Sequence, residues 1–348
     1  MQNAYNGKIA RINLTTGEIK TEALDMELAE KFIGGRGLGT KILYDEGIAK
    51  VEPLSPENKL VYITGPMTGT KSPTAGRYMV VTKSPLTGMI ACSNSGGKWG
   101  GKLKYAGWDA VIVEGKAEKI EILDASPYTG MMSEKIDEEL KKVHPDCSVL
   151  NIGPAGEHLS LLAAIMNDKD RAAGRSGVGA VMGSKNLKAI TVTATRKVIP
   201  AADEAALKEA TKECNRKIKE NGVTGGGLPT YGTAVLVNII NNTGSFPTRN
   251  WQESYYEPAD DTSGETLREK YLVKNAACHR CPIGCGRVIK VGDKVVGGPE
   301  YEPLWAYGGN CGINDLEAID EANMWCNEYG LDAISTPCTI AAAMELYE

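Results

Sequence analysis

Three cysteines within eight residues are the strongest chemical signal in the sequence. Cys278, Cys281 and Cys285 follow the spacing C-x₂-C-x₃-C, and Pro282 and Gly284 allow the loop between them to turn tightly. Three thiolates at this spacing suit three corners of an iron–sulfur cube. The alternative is zinc, or thiols that only pack, but zinc sites usually contain a second Cys or His pair, and no matching pair follows. The spacing therefore favours an iron–sulfur cluster.

The fourth ligand of such a cluster is not evident from the spacing. Cys214, Cys311, Cys326 and Cys338 are the cysteines nearest in sequence. Cys214 and Cys326 fall on apolar faces of predicted helices, where a buried and inert thiol is the expected state. None of the four is assigned as a ligand.

A second group of residues is suited to an anionic ligand. Residues 171–183 combine Arg171 and Arg175 with several glycines, so that backbone N–H groups and guanidinium groups can converge on a phosphate. The glycines imitate a dinucleotide-binding fingerprint. Residues 167–170 (Asn-Asp-Lys-Asp) do not read as the strand that must precede one, so a Rossmann fold is rejected. A surface turn with two solvated arginines is the alternative.

Three shorter stretches add candidate site residues. Residues 73–77 (Pro-Thr-Ala-Gly-Arg) and 93–97 (Ser-Asn-Ser-Gly-Gly) flank predicted strands, where loops that hold cofactors are often found. Residues 298–302 (Gly-Pro-Glu-Tyr-Glu) place two carboxylates on a rigid turn. A solvated acidic loop is the default interpretation of that turn.

Length and composition restrict the class of protein. The chain has 348 residues, which suggests about two domains, and its net charge of -5 argues mildly against nucleic-acid binding. No apolar run approaches the ~18 residues of a membrane helix. The N-terminus lacks the layout of a secretory signal. Nine cysteines without a disulfide-like pattern indicate a reducing compartment, and we expect a cytoplasmic protein.

The first part of the chain is predicted to be rich in β-strands, because short β-branched runs end at Gly or Pro turns. The predicted strands are residues 60–63, 78–82, 110–113, 120–123, 148–152 and 189–193. Two short helices are expected at residues 26–32 and 39–44. These elements define a β-rich domain over residues 1–205.

Beyond about residue 200 the pattern becomes helical. Apolar residues at helical spacing predict helices over residues 203–222, 232–241 and 315–329, and from 337 to the end of the chain. Residues 245–275 look irregular. The last predicted helix has no stop signal before Glu348. The sequence therefore predicts an α+β protein, with a second, mainly helical domain at 206–348 that is incomplete at its C-terminus.

Taken together, these residues resemble the aldehyde ferredoxin oxidoreductase family of tungsten–pterin enzymes. The similarity extends along the whole chain as an ordered series of short motifs, which makes it specific. The motifs lie at residues 13–17, 53–59, 82–88, 94–97, 171–175, 183–190, 231–234, 281–287, 298–302 and 329–332.

The resemblance implies a metal bound by the dithiolenes of two pterins and makes residues 1–205 the pterin-binding domain. The residues that would contact the pterins and their phosphates are Arg77, Asn94, Ser95, Gly96, Arg171, Ala172, Gly174, Arg175, Asn327, Leu331 and Asp332. Backbone carbonyls of Asn94 and Ala172 would help to bind a bridging magnesium ion. Asn327 stands where some members have Asp.

The resemblance also specifies the iron–sulfur cluster. Cys278, Cys281 and Cys285 match three ligands of a 4Fe-4S cluster. The fourth cysteine and a histidine near the metal belong to a downstream part of the longer family chains. Some members bridge two subunits through Glu-x-x-His, but Glu321 is not followed by that His, and the site is not expected in this protein. The expected assembly is a homodimer, or a complex with a polypeptide that supplies the remaining part.

The reaction implied by the resemblance is the oxidation of an aldehyde with water to a carboxylate. The metal centre would accept two electrons, and the 4Fe-4S cluster would pass them singly to ferredoxin. Glu302 is the candidate for proton transfer, because the matched motif places it near the metal. One alternative is a related tungsten enzyme for another substrate, such as a sugar-phosphate aldehyde or an aromatic thioester. The other is a fragment that binds cofactor without turnover. Tungsten and molybdenum are not distinguished by the sequence.

Overall fold

The computed structural model describes residues 4–117 and 126–348, and the predicted strand at 120–123 lies outside them. The chain divides into two compact units. The first unit extends to Thr211 and also includes Glu328–Leu331, and the second comprises Lys212–Asn327 and Asp332–Glu348. The α+β class predicted from the sequence is confirmed.

The first unit contains two β-sheets. The strands are β1 (Lys8–Asn13), β2 (Glu18–Ala23), β3 (Leu60–Thr64), β4 (Tyr78–Lys83), β5 (Ile90–Ser95), β6 (Ala110–Glu114), β7 (Ser148–Asn151), β8 (Ile165–Asn167), β9 (Arg171–Ala173) and β10 (Ala189–Val192). The first sheet has the order β2-β1-β6-β3-β4-β5, with β1 and β6 parallel and the other neighbours antiparallel. The second sheet, β10-β7-β8-β9, is antiparallel throughout.

Helices cover both faces of the first sheet. The helices of this unit are α1 (Met26–Phe32), α2 (Gly35–Asp45), α3 (Trp99–Tyr105), α4 (Ser133–Val143), α5 (Pro154–Glu157) and α6 (Val178–Ser184), with 3₁₀ turns at Ile48–Lys50 and Ser126–Tyr128. Of these, α1 and α2 lie on one face of the first sheet and α3 and α6 on the other, whereas α4 packs against β7 of the second sheet. Strand β3 is buried at every position because its residues alternate between two apolar clusters. Leu60 and Tyr62 pack with α3, α6 and the second sheet, whereas Val61 and Ile63 pack with α1 and α2.

Short apolar and β-branched runs mark the strands that the sequence predicts correctly. The apolar runs coincide with β3, β4, β6, β7 and β10. The strands β1, β2, β5, β8 and β9 are not predicted. Strand β2 is exposed along most of its length and is held by pairing with β1, so its own sequence lacks a hydrophobic signal. Pairing in the sheet, which local propensity does not report, forms these strands.

Helix α1 occurs where it is predicted, but α2 begins four residues earlier than expected, at Gly35. Glycines normally oppose helix formation. In α2, Gly39 is required by packing, because a Cβ at this position would lie 2.8 Å from Val81 Cγ2 on β4. Close contact with the sheet therefore overrides the low helix propensity of this segment.

The second unit is mainly helical. The helices of this part of the chain are α7 (Glu204–Glu220), which crosses the boundary between the units, α8 (Leu228–Tyr231), α9 (Leu236–Asn242), α10 (Gly264–Lys270), α11 (Tyr301–Tyr307), α12 (Leu316–Tyr329) and α13 (Ser335–Tyr347). A π-helical turn lies at Gly222–Gly227, and 3₁₀ turns lie at Gly232–Val235 and Ala259–Thr262. The strands β11 (Leu272–Ala276), β12 (Gly286–Val291) and β13 (Lys294–Gly297) form an antiparallel sheet. None of the helices described is both long and apolar enough to cross a membrane.

Two expectations for this region are wrong. Residues 245–275 are not irregular throughout, because they contain a 3₁₀ turn, α10 and most of β11. The Ser263 hydroxyl caps α10 by accepting the Thr266 N–H over 3.2 Å, a local signal that is easily overlooked. The thiol of Cys214 is exposed rather than buried, since α7 has no fully buried residue.

Candidate functional site

Arg77 and the end of β5 form one part of the candidate cofactor site. Arg77 immediately precedes β4, and Asn94 and Ser95 end β5, which pairs with β4. The Arg77 Nη1 atom donates a hydrogen bond to Asn94 Oδ1 over 2.7 Å. Strand β9, which contains Arg171 and Ala172, packs beside β5. The fold thus brings candidate residues that are far apart in sequence onto neighbouring strands.

Asn167 and Asp168 hold the backbone that follows β5. Buried Asn167 accepts a hydrogen bond from the Ser95 hydroxyl over 2.6 Å and donates one to the Gly96 carbonyl over 3.2 Å. The Asp168 carboxylate accepts the Lys98 N–H over 2.5 Å. The loop at residues 95–98 is therefore preorganised. Sequence alone did not identify these two residues, although the polar run at 167–170 is typical of a turn.

A tight hairpin, and not a glycine-rich loop, contains Arg171. Asp168 and Lys169 have positive φ angles of 51° and 71° between β8 and β9, and Arg171 pairs with Asn167. Residues 174–177 then form the turn into α6, and the side chain of Arg175 in this turn is exposed. A strand thus precedes the glycines after all. Because β8 and β9 are antiparallel, the arrangement is still not that of a Rossmann fold.

The segment that follows α12 returns to the second sheet of the first unit. Leu331 forms an isolated antiparallel bridge with Ala163, and the Ala164 N–H donates to the Gly330 carbonyl over 2.8 Å. Gly330 has a φ of 69°, which ends the helix. Leu331 is therefore held beside residues 163–164, directly before β8, and β8 pairs with the strand that contains Arg171.

Asn327 and Asp332 belong to the second unit. Asn327 is half-buried in the last turn of α12. Asp332 is buried, and its carboxylate accepts the N–H groups of Ile334 and Ser335 over 3.1 and 3.2 Å at the start of α13. The Asp332 side chain therefore stabilises the beginning of a helix, whatever else it contacts.

The donor groups of the first unit fit an anionic cofactor that contains phosphate. Arg77, Arg171 and Arg175 provide guanidinium groups, which can bind phosphate through two parallel hydrogen bonds. Gly97 has a φ of 78°, and its backbone lies too close to Asn167 to allow a side chain. A Cβ at this position would lie 2.6 Å from Asn167 Nδ2. Arginines around a glycine-containing loop are the groups that a phosphate-bearing pterin requires.

Replacing Gly97 by alanine is expected to disrupt this loop. The substitution forces a side chain into the left-handed region, at a cost of about 1–2 kcal/mol, and adds the overlap with Asn167. Gly88→Ala is a matched control, because Gly88 has φ of 70° and no atom within 4 Å of an added Cβ. Urea denaturation should show a larger loss of unfolding free energy for Gly97→Ala, accompanied by a lower pterin content. Equal losses in the two variants would contradict the proposed close approach.

The three cysteines of the candidate iron–sulfur loop lie between β11 and β12 and are half-buried. The Cys281 N–H donates to the Cys278 carbonyl over 3.1 Å, and positive φ angles at Arg280 (51°) and Gly284 (64°) turn the backbone. Within residues 4–117 and 126–348, no group of three His, Cys, Asp or Glu side chains is placed to hold a single metal ion. Three thiols on one compact loop match three of the four thiolates that a 4Fe-4S cluster takes.

Arg287 is 3% exposed and holds the backbone of this loop in place. Its guanidinium donates to the carbonyls of Gly284 and Cys285 over 2.8 and 3.3 Å and also to carbonyls of residues 228–230. Burial lowers the pKa of Arg287, and the adjacent Cys285 opposes this effect. The sequence analysis did not assign this role, although Arg287 stands directly after the cysteine motif.

Two further cysteines of the second unit are buried thiols with hydrogen-bond partners. The Cys311 thiol donates to the carbonyls of Ala306 and Pro337 over 3.3 and 3.2 Å, and burial raises its pKa to about 11. Cys326 lies 3.2 Å from the Tyr307 hydroxyl, and burial raises the pKa of its thiol as well. The buried state predicted for Cys326 is confirmed. Protonated thiols are poor ligands, since metals bind the thiolate.

The acidic motif at 298–302 leads into a helix and is not a rigid turn throughout. The Thr233 hydroxyl donates to Glu300 Oε2 over 2.5 Å and accepts the Tyr301 N–H over 2.9 Å, which fixes the start of α11. Glu302 lies in the first turn of α11 and is exposed. Its Oε2 atom accepts a hydrogen bond from Trp305 Nε1 over 2.6 Å. The carboxylate is therefore oriented by a neighbouring indole.

Asp320 on α12 is a buried carboxyl group that sequence analysis did not identify. It is 0% exposed, and neither oxygen has a hydrogen-bond partner within the described residues. Burial, with a smaller contribution from Glu317, raises the pKa of Asp320 to about 8. The group is therefore protonated in the folded protein near neutral pH, whereas it ionises near pH 4 when the chain unfolds.

Substitution of Asp320 by asparagine is expected to remove a pH dependence of stability. Between about pH 4 and pH 8 the folded protein retains a proton that the unfolded chain releases, so wild-type stability falls as the pH rises through this window. The amide cannot ionise. The unfolding free energy of Asp320→Asn, relative to that of wild type, should increase by at least about 1 kcal/mol between pH 5 and pH 8. This is less than the free energy that corresponds to a pKa shift of one unit. Urea titrations at both pH values measure this, with the exposed Glu321→Gln on the same helix as control. A stability difference between the variant and wild type that does not change with pH would show that Asp320 is ionised in the folded protein.

Comparison with known proteins gives matches to both parts of the chain. Residues 9–194 match the family described as aldehyde ferredoxin oxidoreductase, N-terminal domain, and residues 209–348 match its domains 2 and 3. The chain is 53% identical to the tungsten-containing aldehyde ferredoxin oxidoreductases of Pyrococcus abyssi and Thermococcus kodakarensis. These alignments cover 99% and 98% of this chain and 59% and 58% of the relatives.

More distant relatives align over the same length. The WOR-like subunit of an aliphatic sulfonate oxidoreductase from Pyrococcus furiosus is 33% identical, over 99% of this chain and 60% of that protein. The active-site complex BamBC of benzoyl coenzyme A reductase, solved with 1,5-dienoyl-CoA, has a TM-score of 0.87 at 30% identity and covers 99% of this chain and 56% of that chain. The chain spans about three fifths of the length of the curated relatives named above. Strands β5 and β9 and the cysteine loop all lie within the matched residues, and the chain belongs to the aldehyde ferredoxin oxidoreductase family.

Proposed function

We propose that this chain contains the pterin-binding part and three cluster ligands of a tungsten–pterin oxidoreductase that converts an aldehyde to a carboxylate. The observation that supports this most strongly is the 53% identity to tungsten-containing aldehyde ferredoxin oxidoreductases along almost the whole chain. That identity spans the arginine-lined strands of the first unit and the cysteine loop of the second. Electrons would leave through a 4Fe-4S cluster to ferredoxin.

The pterins would be held by the residues that surround β5 and β9. Arg77, Arg171 and Arg175 would bind the phosphates, and Asn94 is already oriented by its contact with Arg77. Backbone carbonyls of Asn94 and Ala172 would help to bind magnesium. Further contacts would come from Ser95, Gly96, Gly174, Asn327, Leu331 and Asp332. When bound, the tungsten–pterin group would supply the two-electron oxidation of the substrate.

Glu302 would accept a proton from the water that adds to the substrate carbonyl. Because Oε2 accepts the Trp305 N–H, the other carboxylate oxygen, Oε1, would take up the proton. A carboxylate that is exposed and already oriented suits a general base. Cys278, Cys281 and Cys285 would hold the cluster, and Arg287 would keep the backbone of their loop in place.

Metal analysis combined with an aldehyde panel tests this proposal. Protein purified without oxygen should contain tungsten, iron and pterin, and should reduce a viologen dye when aldehydes are added and ferredoxin when it replaces the dye. An aliphatic sulfonate and 1,5-dienoyl-CoA, the compounds named with the more distant relatives, are assayed in parallel. Turnover of one of these without turnover of any aldehyde would overturn the aldehyde assignment, and molybdenum in place of tungsten would overturn the metal assignment.

A further inference from the structure

Residues 249–251 form a turn of three consecutive left-handed residues. Arg249, Asn250 and Trp251 have φ angles of 47°, 50° and 62°, a conformation that residues other than glycine rarely adopt. Thr248 and Glu253 close the turn by exchanging two backbone hydrogen bonds of 3.1 Å. Strained backbone of this kind persists only where the surrounding structure holds it, and it is concentrated at functional sites.

The turn is docked on the loop that follows α11. The N–H groups of Arg249 and Asn250 donate to the carbonyls of Gly309 and Asn310, each over 2.9 Å. Gly309 allows this approach, because a Cβ at this position would lie 2.6 Å from the ring of Phe246. Two backbone hydrogen bonds and a close glycine contact therefore hold the left-handed turn in place.

The docked turn places Trp251 against Trp305. The ring centroids are 5.8 Å apart and the planes meet at 64°, an edge-to-face contact. Trp305 is 8% exposed, whereas Trp251 is 55% exposed. Trp305 donates its indole N–H to Glu302 over 2.6 Å. A continuous series of contacts thus connects the strained turn to the carboxylate proposed to transfer the proton.

We propose that Trp251 and Trp305 are positioning residues for Glu302, an inference that rests on the proposed function and extends it. An exposed glutamate samples several rotamers, and a hydrogen bond from a buried indole selects one of them. Trp305 can do so because the ring of Trp251 packs against it. The role of the left-handed turn is to position Trp251 against the ring of Trp305.

A purely structural role for Trp305 predicts different behaviour. If its ring only fills space, removal of the N–H group without loss of the ring changes neither kcat nor the environment of Glu302. Trp325 on α12 is a matched control outside the proposed site, since its Nε1 atom donates to the exposed Glu321 over 3.2 Å. Phenylalanine at either position removes the N–H group and keeps an aromatic ring.

Kinetics of the holoenzyme test the proposal. Trp305→Phe should lower kcat about tenfold with KM and the tungsten and iron contents unchanged, whereas Trp325→Phe should leave kcat unchanged. In a Glu302→Gln background, Trp305→Phe should cause a much smaller further loss, because the two residues act as one unit. Trp251→Ala should lower kcat at least threefold, and Trp251→Phe should restore part of it.

The indole N–H resonances give a readout that does not depend on activity. The chain has five tryptophans, so ¹⁵N-tryptophan labelling yields few signals, which single Trp→Phe variants assign. The Trp305 signal should shift in Glu302→Ala and in Trp251→Ala, and the Trp325 signal should not.

Three outcomes would overturn the proposal. The first is an unchanged kcat in Trp305→Phe while Glu302→Gln is impaired, which contradicts the positioning role and leaves the proposed base intact. The second is a Trp305 resonance that is insensitive to both alanine variants. The third is an unimpaired Glu302→Gln enzyme, which removes the proposed base and the positioning role together.

Discussion

Replacement of Glu302 by glutamine is expected to lower kcat by about 10²–10⁴-fold, the usual contribution of a general acid or base. Glutamine keeps the shape of the side chain and can still accept the Trp305 N–H bond that Glu302 Oε2 accepts at 2.6 Å. It cannot take up a proton. The expected result is therefore a defect in turnover with unchanged contents of tungsten, pterin and iron, measured in the enzyme purified without oxygen.

Glu321→Gln is the matched control for this substitution. Glu321 is also an exposed glutamate on a helix, and it also accepts an indole N–H, from Trp325 over 3.2 Å. It should retain wild-type kcat. A loss of less than about tenfold in Glu302→Gln would indicate a structural carboxylate.

Substitution of Cys281 by serine is expected to empty the iron–sulfur loop. A serine hydroxyl is not ionised at neutral pH and is a poor ligand for iron, so a cluster held by Cys278 and Cys285 alone on this loop should be lost. Iron should fall from about four atoms per chain to a small fraction of that value. Ferredoxin reduction should fall to background, while pterin and tungsten remain bound. Iron analysis and the EPR signal of the dithionite-reduced protein measure the change.

Cys214→Ser provides the control, because Cys214 is an exposed thiol on α7. It should retain iron and ferredoxin reduction. Full iron content in Cys281→Ser would contradict the assignment of the loop. If Cys311→Ser loses iron and Cys281→Ser does not, the buried Cys311 thiol is the ligand. That result would contradict the protonated state that its raised pKa predicts.

The elements that could be predicted are those whose own sequence contains a run of apolar residues. Strand β3 could be recognised because all five of its residues are buried and the first four form an unbroken apolar run. Strand β9 could not be recognised, because its three residues acquire a partner only when the chain reverses at Asp168 and Lys169. The start of α2 was missed because its first turn contains Gly35 and Gly37, which have a low helix propensity.

The residues of the candidate site also fall into those that the sequence identified and those that it did not. The cysteine spacing and the arginines at 77, 171 and 175 were visible as residue types at informative positions. The residues that hold those groups in place were not, because Asn167, Asp168 and Arg287 act through hydrogen bonds to backbone atoms that are distant in sequence. A side chain that binds a carbonyl many residues away leaves no periodic or spacing signal.

By itself, the sequence determined the α+β class, the family, the cysteine loop and the chemical type of the residues proposed to bind an anionic cofactor. These features depend on composition, on local spacing and on motifs that lie close together along the chain. Only the tertiary structure decided that β5 and β9 lie side by side, that Leu331 pairs with Ala163 just before β8, and that Glu302 lies on a helix against Trp305. It also decided that Asp320 is buried, with no hydrogen-bond partner for its carboxyl group in the described part of the chain. The physical reason is that contact, burial and pKa depend on which distant segments pack together, and that outcome is set by the whole chain.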